Sequence, residues 1–275
     1  MISATGNRLT AEIRRQTALS EAIAREQVGV STGKRIQRAS DDPLAAARVS
    51  KIAQAQSNSL AWVANLEMGR AMVAQADAVA TSVSSQLARA RESVVAGASA
   101  TVSPADRSTL ANELRAIADE IDSLAATRTP AGDPLFAATP MVIRFGQDDV
   151  FSPVPSRPEM FASDGVPLSQ RVRDAATAIS SGNRALIETS LTSIDASISD
   201  AADAAAEIGL RAGRIDRLLE RERQGAVTSA EERSVLEDTD LSEALTRLNA
   251  LSVTLEAAQA AFARINRRTL FDILS

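Results

Sequence analysis

The residues of this chain best equipped for chemistry are carboxylates: the adjacent pairs Asp41-Asp42 and Asp148-Asp149, and the cluster Asp119, Glu120 and Asp122. Such groups can hold a cation or share the acid and base roles of a hydrolysis. The surrounding sequence supports neither use. The 275 residues include no His and no Cys, which excludes zinc-protease motifs, His-based triads and thiol nucleophiles. No carboxylate pair stands in a Gly-rich or aromatic-lined setting that would position a substrate. Asp41 and Asp42 read as cap and loop residues, because no further ligands cluster with them. Asp148-Asp149 reads as a polar hairpin turn in preference to a cation site, and the Asp119 cluster as a solvated helix face. The expectation is a non-enzyme with no cofactor and no metal.

Composition points the same way. Hydrophobic residues make up 45% of the chain but aromatics only 3%, with Trp62 the one tryptophan and no Tyr. Ala, Leu, Ile and Val suit slender helical packing better than a thick globular core. The net charge of -5 is spread over interspersed acids and bases without a basic stripe, so nucleic acid is not an expected partner. The lack of Cys rules out disulfides and leaves the redox compartment open. Met1-Ile2-Ser3-Ala4 does not begin a secretory signal. Gln75 and Asp77 interrupt the most apolar stretch, Ala71 to Ala88, so no run reaches the roughly 20 residues of a membrane span.

The elements that must carry these residues are mostly long helices. From Leu241 a stripe runs at steps of three and four through Ala244, Leu248, Leu251, Leu255, Ala258, Phe262 and Ile265. That is the seam of a helix meant to lie along another helix. At the other end Ile2, Leu9, Gln16, Ile23 and Val30, with Ile13, Ser20 and Gln27, form a seam diluted by polar residues. Gly29 and Ser31-Thr32-Gly33 close it, and Lys34 to Ser40 reads as a loop or short extended segment. Ser40-Asp41-Asp42-Pro43 restarts a helix, with an Asp as N-cap and Pro43 at the first helical position. Apolar periodicity then runs from Val49 through Leu60 to Val94, and a helix over Pro43 to Ala96 would be roughly 80 Å long.

Gly97 to Val102 is a turn, and Ser103-Pro104 opens a helix carrying Leu110, Leu114, Ile117, Ile121 and Leu124 that folds back on its predecessor. Thr129 to Pro167 holds seven prolines and four phenylalanines. Its Met141 to Phe145 and Val150-Phe151 read as strands joined by a turn, within an exposed, mainly β insertion. Helical period returns at Ser169, breaks at Gly182-Asn183, and runs from Ile187 to Leu219. Gly225 to Ser229 reads as a breaker, with Ser229 and Glu232 able to form a capping box.

The expected fold is mainly α: an elongated antiparallel helical bundle of long heptad-patterned helices with a small β-rich central insertion. The expected parts are residues 1–42 (N-terminal arm), 43–128 (first half of a helical rod), 129–168 (insertion), 169–239 (second half of the rod) and 240–275 (C-terminal arm). Seams between Pro43 and Leu236 are expected to be core within one chain. The two arms, paired antiparallel with the chain ends at one tip and the insertion at the far end, are too polar to bury each other and are expected to finish their burial between subunits.

Several quoted segments resemble the flagellin superfamily. On the N-terminal side these are the run Leu19 to Asp42 with Ser31-Thr32-Gly33-Lys34-Arg35-Ile36, followed by Ser40-Asp41-Asp42-Pro43. On the C-terminal side they are Asp238-Thr239-Asp240-Leu241-Ser242-Glu243-Ala244, the run Leu255 to Ile265, and the close Leu270-Phe271-Asp272-Ile273-Leu274. Flagellins usually continue the acidic pair with small residues, whereas Pro43 resembles the hook-associated branch. The resemblance covers roughly Ile2 to Thr127 and Ser181 to Ser275. It includes Arg107 to Leu124, which is similar to the backfolded helix of the superfamily's helical domain. It implies one helix through Gly225, against the breaker reading. Gly132-Asp133-Pro134-Leu135-Phe136-Ala137 departs from the superfamily pattern, so the insertion's fold is not implied.

The resemblance implies a structural protein exported through the flagellar type III apparatus with an uncleaved N-terminus and secreted to the flagellum. There it would join a homo-oligomeric ring between hook and filament. Implied partners are further copies of itself, a neighbouring hook-associated protein, flagellin subunits and an export chaperone. The alternatives are a short flagellin that forms the filament and, in a different class, a surface adhesin using the insertion, against which the lack of Tyr and Trp there speaks. Arg89-Ala90-Arg91-Glu92 resembles the flagellin segment recognised by innate receptors, but reads in preference as plain exposed helix surface. The assembly-interface candidates are Leu9, Ile13, Ile23, Val30, Ser40, Asp41, Asp42, Pro43, Leu241, Leu248, Leu251, Leu255, Phe262, Ile265, Leu270 and Phe271.

Overall fold

A computed structural model describes the backbone of residues 2–273 and the side chains of residues 10–264. The chain forms two compact units, one of Met1–Ser57 with Ala226–Ser275 and one of Asn58–Gly225. The fold is mainly α. Helix α1 spans Ile2–Thr32, α2 Pro43–Gly97, α3 Pro104–Ala125, α4 Arg157–Phe161, α5 Leu168–Ser181, α6 Arg184–Glu237 and α7 Leu241–Ile273. Two small antiparallel hairpins, β1 (Ile143–Arg144) with β2 (Val150–Phe151) and β3 (Ala162–Ser163) with β4 (Val166–Pro167), lie between α3 and α5.

The middle unit is built from α2, α3, α5 and α6 in alternating directions. Arg70 meets Asp216 at 3.4 Å and Arg91 meets Asp195 at 2.7 Å, so α2 and α6 run antiparallel. Ser103 caps α3 by accepting a hydrogen bond from the Asp106 amide at 3.2 Å. The short turn sends α3 back along α2, where Arg89 reaches Glu113. Gly182, in the left-handed conformation (φ +65°), ends α5, and the Asn183 side chain accepts from the Ala185 amide to start α6. Left-handed backbone suits Gly because it has no Cβ to clash. The heptad seams meet inside: Leu66, Val83, Leu87 and Val94 of α2, Leu114 and Ile121 of α3, Val172 and Ile179 of α5, and Ile194, Ile208 and Ile215 of α6 are all buried. Leu60, counted in the seam, is instead 73% exposed.

The segment 129–168 departs from the exposed insertion read from sequence. The two strand segments do pair, Ile143 with Phe151 and Arg144 with Val150, but most of the segment is turn and loop. Its aromatics are core. Phe145 is fully buried and lies where a Cβ on Gly69 would come within 2.8 Å of its ring, so the absent side chain at 69 lets the ring sit flush on α2. Phe145 stacks at 4.6 Å on Phe151, and Phe136 meets Phe161 edge-on at 5.1 Å.

Charge fastens the same hairpin. Asp149 pairs with Arg221 at 2.5 Å and Arg214 at 3.1 Å, and the Arg214 guanidinium lies 4.1 Å above the Phe151 ring. Hydrogen bonds from those two arginines hold the Asp149 carboxyl below its ordinary pKa. Half of the Asp148-Asp149 turn is therefore a docking residue for α6. The acidic set of α3 is likewise not wholly a solvated face: Arg173 of α5 binds Asp122 at 2.6 Å and Asp119 at 2.9 Å, whereas Glu120 is exposed.

The Gly225 breaker and its Ser229-Glu232 capping box do not occur, because α6 continues to Glu237. An interior Gly costs a helix about 1 kcal/mol. Side-chain ties to α2 exist on both sides of it, Ser59 to Glu222 at 2.6 Å and Arg48 to Glu232 at 2.5 Å.

Candidate assembly interface

In the unit of residues 1–57 and 226–275, α1 packs along α7. The pairing is antiparallel: Gly29 lies beside Thr239, while Glu26 meets Arg247 at 3.4 Å further up α7. Little of the seam is closed. Among the described residues the buried hydrophobics of this unit are Ala45, Ile52 and Ala244. Ile13 is 52% and Leu241 49% exposed, while Ile23, Val30, Leu248, Leu251, Leu255 and Phe262 are half-buried. The side chains of Leu9, Ile265, Leu270 and Phe271 lie outside the described residues. Two helices alone cannot surround each other's apolar stripes, so each stripe keeps a free flank.

The remaining candidates, Ser40, Asp41, Asp42 and Pro43, form the joint between α1 and α2. Gly33 ends α1 at φ +69°. Asp42 is the N-cap of α2, accepting from the Ala45 amide at 3.0 Å, and Pro43 takes the first helical position. Asp41 faces back, its carboxylate accepting from the amides of Gln37 at 3.1 Å and Arg38 at 2.8 Å. Both carboxylates are thus occupied in shaping the loop. Ser40, Asp41 and Pro43 are exposed, and Asp42 is half-buried.

The loop is clasped to the end of α6 by residues absent from the candidate set. Lys34 and Asp238 form an antiparallel bridge. The Arg35 amide donates to the Glu237 carbonyl at 2.6 Å, and the Thr239 amide to the Gly33 carbonyl at 2.9 Å. The Arg35 guanidinium donates to the Leu236 carbonyl at 2.9 Å. Glu237, its side chain only 13% exposed, accepts from Lys34 Nζ at 3.1 Å and is paired with Arg233 at 3.1 Å. Burial opposes ionisation of this carboxyl, but the hydrogen bonds from Lys34 and Arg233 outweigh it and hold its pKa below the ordinary value. Asp240 then caps α7 through the amides of Ser242 and Glu243. Local pattern marks each cap, but the partnership of Lys34 with Glu237 joins residues 203 apart and has no sequence-local signal.

A half-closed helix pair held to a tight joint leaves apolar surface along which further helices can lie. Among the described residues no group of three or more metal-binding side chains converges, and no helix is long and apolar enough to cross a membrane.

The chain is similar to known proteins in sequence and in fold. Residues 7–140 match the bacterial flagellin N-terminal helical region, and residues 191–274 the bacterial flagellin C-terminal helical region. Over 108 residues the chain is 32% identical to flagellar hook-associated protein 3 of Salmonella typhimurium and 31% identical to that of Escherichia coli. The match covers 39% of this chain and 34% of each relative, so the chain spans about a third of the length of these relatives. A flagellar hook-associated protein structure from Vibrio parahaemolyticus superimposes with a TM-score of 0.65 at 18% identity, covering 72% of this chain and 99% of that one. A Xanthomonas campestris FlgL structure gives 0.55 at 15% identity over 65% and 99% of the two chains. These likenesses show a shared fold. With both terminal helical regions matched in one chain, the protein belongs to the flagellin superfamily.

Proposed function

We propose that this protein is a structural, non-enzymatic subunit of the bacterial flagellum that joins the hook to the filament by self-assembly of its terminal helices. The observation that carries the reading is the α1 and α7 pair, whose apolar seam is left half-open from Ile13 to Phe262. Neighbouring subunits would close it, so the candidate seam residues and the Ser40 to Pro43 joint are the proposed interface. Leu9, Ile265, Leu270 and Phe271 belong to the same proposed surface by sequence. The matched hook-associated relatives and Pro43 after the acidic pair favour a place between hook and filament over the filament itself. The partners are further copies in a ring, an adjoining hook-associated protein, flagellin subunits and an export chaperone, after delivery through the flagellar export apparatus.

Deletion of the gene tests the reading. Cells that keep hooks but lose filaments are the expected outcome, with filament protein shed to the medium. Intact filaments would overturn it.

A further inference from the structure

We propose that the basic cleft beside the joint is a docking site for the acidic face of α6 on a second copy of this chain, an inference that rests on the self-assembly reading above. The cleft, of about 790 Å³, lies between the end of α1, the loop that follows it and the start of α7. Arg25, Lys34, Arg35, Arg38 and Arg247 line it. Three of these cations are answered within their own unit: Lys34 by Glu237, Arg35 by Asp42 at 3.6 Å, and Arg247 by Glu26 and by Glu243 at 2.6 Å. Arg25 and Arg38 have no hydrogen bond or ion pair from their guanidinium groups among the described residues. Glu21 and Asp41 share the cleft, but neither reaches ion-pair distance of them. Two unanswered guanidinium groups in one concavity repel each other and present forks that fit carboxylates.

The other compact unit carries the complement. Asp200, Asp203 and Glu207 recur on α6 at steps of three and four, so they share one face. With Asp164 and Glu159 they line a second cleft, of about 570 Å³, in which Arg211 is the single basic residue. Asp200 accepts from the Ser163 hydroxyl, Glu207 pairs with Arg211 at 2.9 Å and Asp164 with Arg171 at 3.3 Å. Asp203 has no such partner among the described residues. Excess positive charge in one cleft and excess negative charge in the other give each copy both halves of a contact. Where the cleft and the α6 face of one copy engage two different neighbours, the contact is head-to-tail and repeats from copy to copy, as a ring or helical array requires. Opposed charge of this kind fixes register and partner choice.

The chain has no Cys of its own, so a pair introduced as Arg38→Cys and Asp203→Cys reports the contact directly. The concentrated full-length protein, at low salt, is treated with a short bis-maleimide and run on a denaturing gel. A ladder of linked multimers is expected, with none from a control carrying Arg38→Cys and Glu120→Cys, which uses an exposed acid elsewhere. In parallel, Arg25→Glu with Arg38→Glu should weaken self-association at least about tenfold by sedimentation, and adding Asp203→Arg should restore part of it. Circular dichroism checks that helix content is unchanged. Association without the 38–203 ladder, or association indifferent to the reversals, overturns the contact while leaving self-assembly standing. A protein that stays monomeric with its neighbours' terminal helices available overturns both.

Discussion

Replacing Phe145 with Ala tests whether the segment 129–168 is core or appendage. The ring is fully buried, rests on the bare backbone of Gly69, and stacks on Phe151, which in turn carries Arg214. Truncation removes the burial of one aromatic side chain and leaves a cavity that β1 and β2 cannot collapse into, because Asp149 holds them to Arg221 and Arg214. Buried Phe→Ala changes cost about 3–5 kcal/mol. For a unit the size of 58–225, that lowers Tm by roughly 6–20 °C. Trp62, the chain's single tryptophan, is half-buried in the same unit and reports its unfolding by fluorescence in a urea titration. Val142→Ala is the internal control: it is next to β1 but 63% exposed, and its cost should stay within about 0.5 kcal/mol. A Phe145→Ala loss below about 1 kcal/mol would refute the packing argument and return the segment to the exposed insertion inferred from sequence.

Two further outcomes follow from the other unit. The Glu237 carboxyl has a pKa lowered by folding, so the clasp's contribution is present above the ordinary carboxylate range and fades as pH falls through the folded value. The protection factors of the Arg35 and Thr239 amides, relative to the unstructured chain at each pH, should therefore fall in acid, and Glu237→Gln should remove most of that acid dependence; an unchanged profile would exclude Glu237 as the titrating group. In the dilute monomer, amides of residues 10–42 and 240–264 should exchange much faster than those of 73–94, because almost no apolar side chain of the first set is buried. Slow exchange throughout the terminal helices would contradict the proposal that neighbours complete them.

The long helices were legible because their periodicity is strong. The run from Leu66 to Val94 and the run from Ile187 to Leu219 are the buried lines of α2 and α6. Caps were legible for the same local reason: Asp42 and Ser103 act within three residues of themselves, while Asn183, read only as part of a break, turns out to cap α6. Long-range choices were not. Gly225 to Ser229 looks locally like a stop, whereas the family resemblance implies one helix through it; the helix is continuous, and the ties of α6 to α2 on either side hold it. The insertion looked exposed because prolines break its pattern, yet Gly69 had already made room for Phe145 at a distance of 76 residues that no local window spans. Of the candidate interface, the seam positions could be read, whereas Lys34, Arg35 and Glu237 could not, since each is ordinary until the two ends of the fold meet.

That meeting has a consequence for the order of events as the chain is made. Lys34 emerges from the ribosome 203 residues ahead of Glu237, which at common translation speeds is a lead of roughly 10–40 seconds. The helices of residues 58–225 can pair during that interval through nearer contacts, each needing a smaller loop to close. Residues 10–42 are thus synthesised well ahead of the segments that tie them down, and until α7 is complete they are open to whatever binds a nascent amphipathic helix.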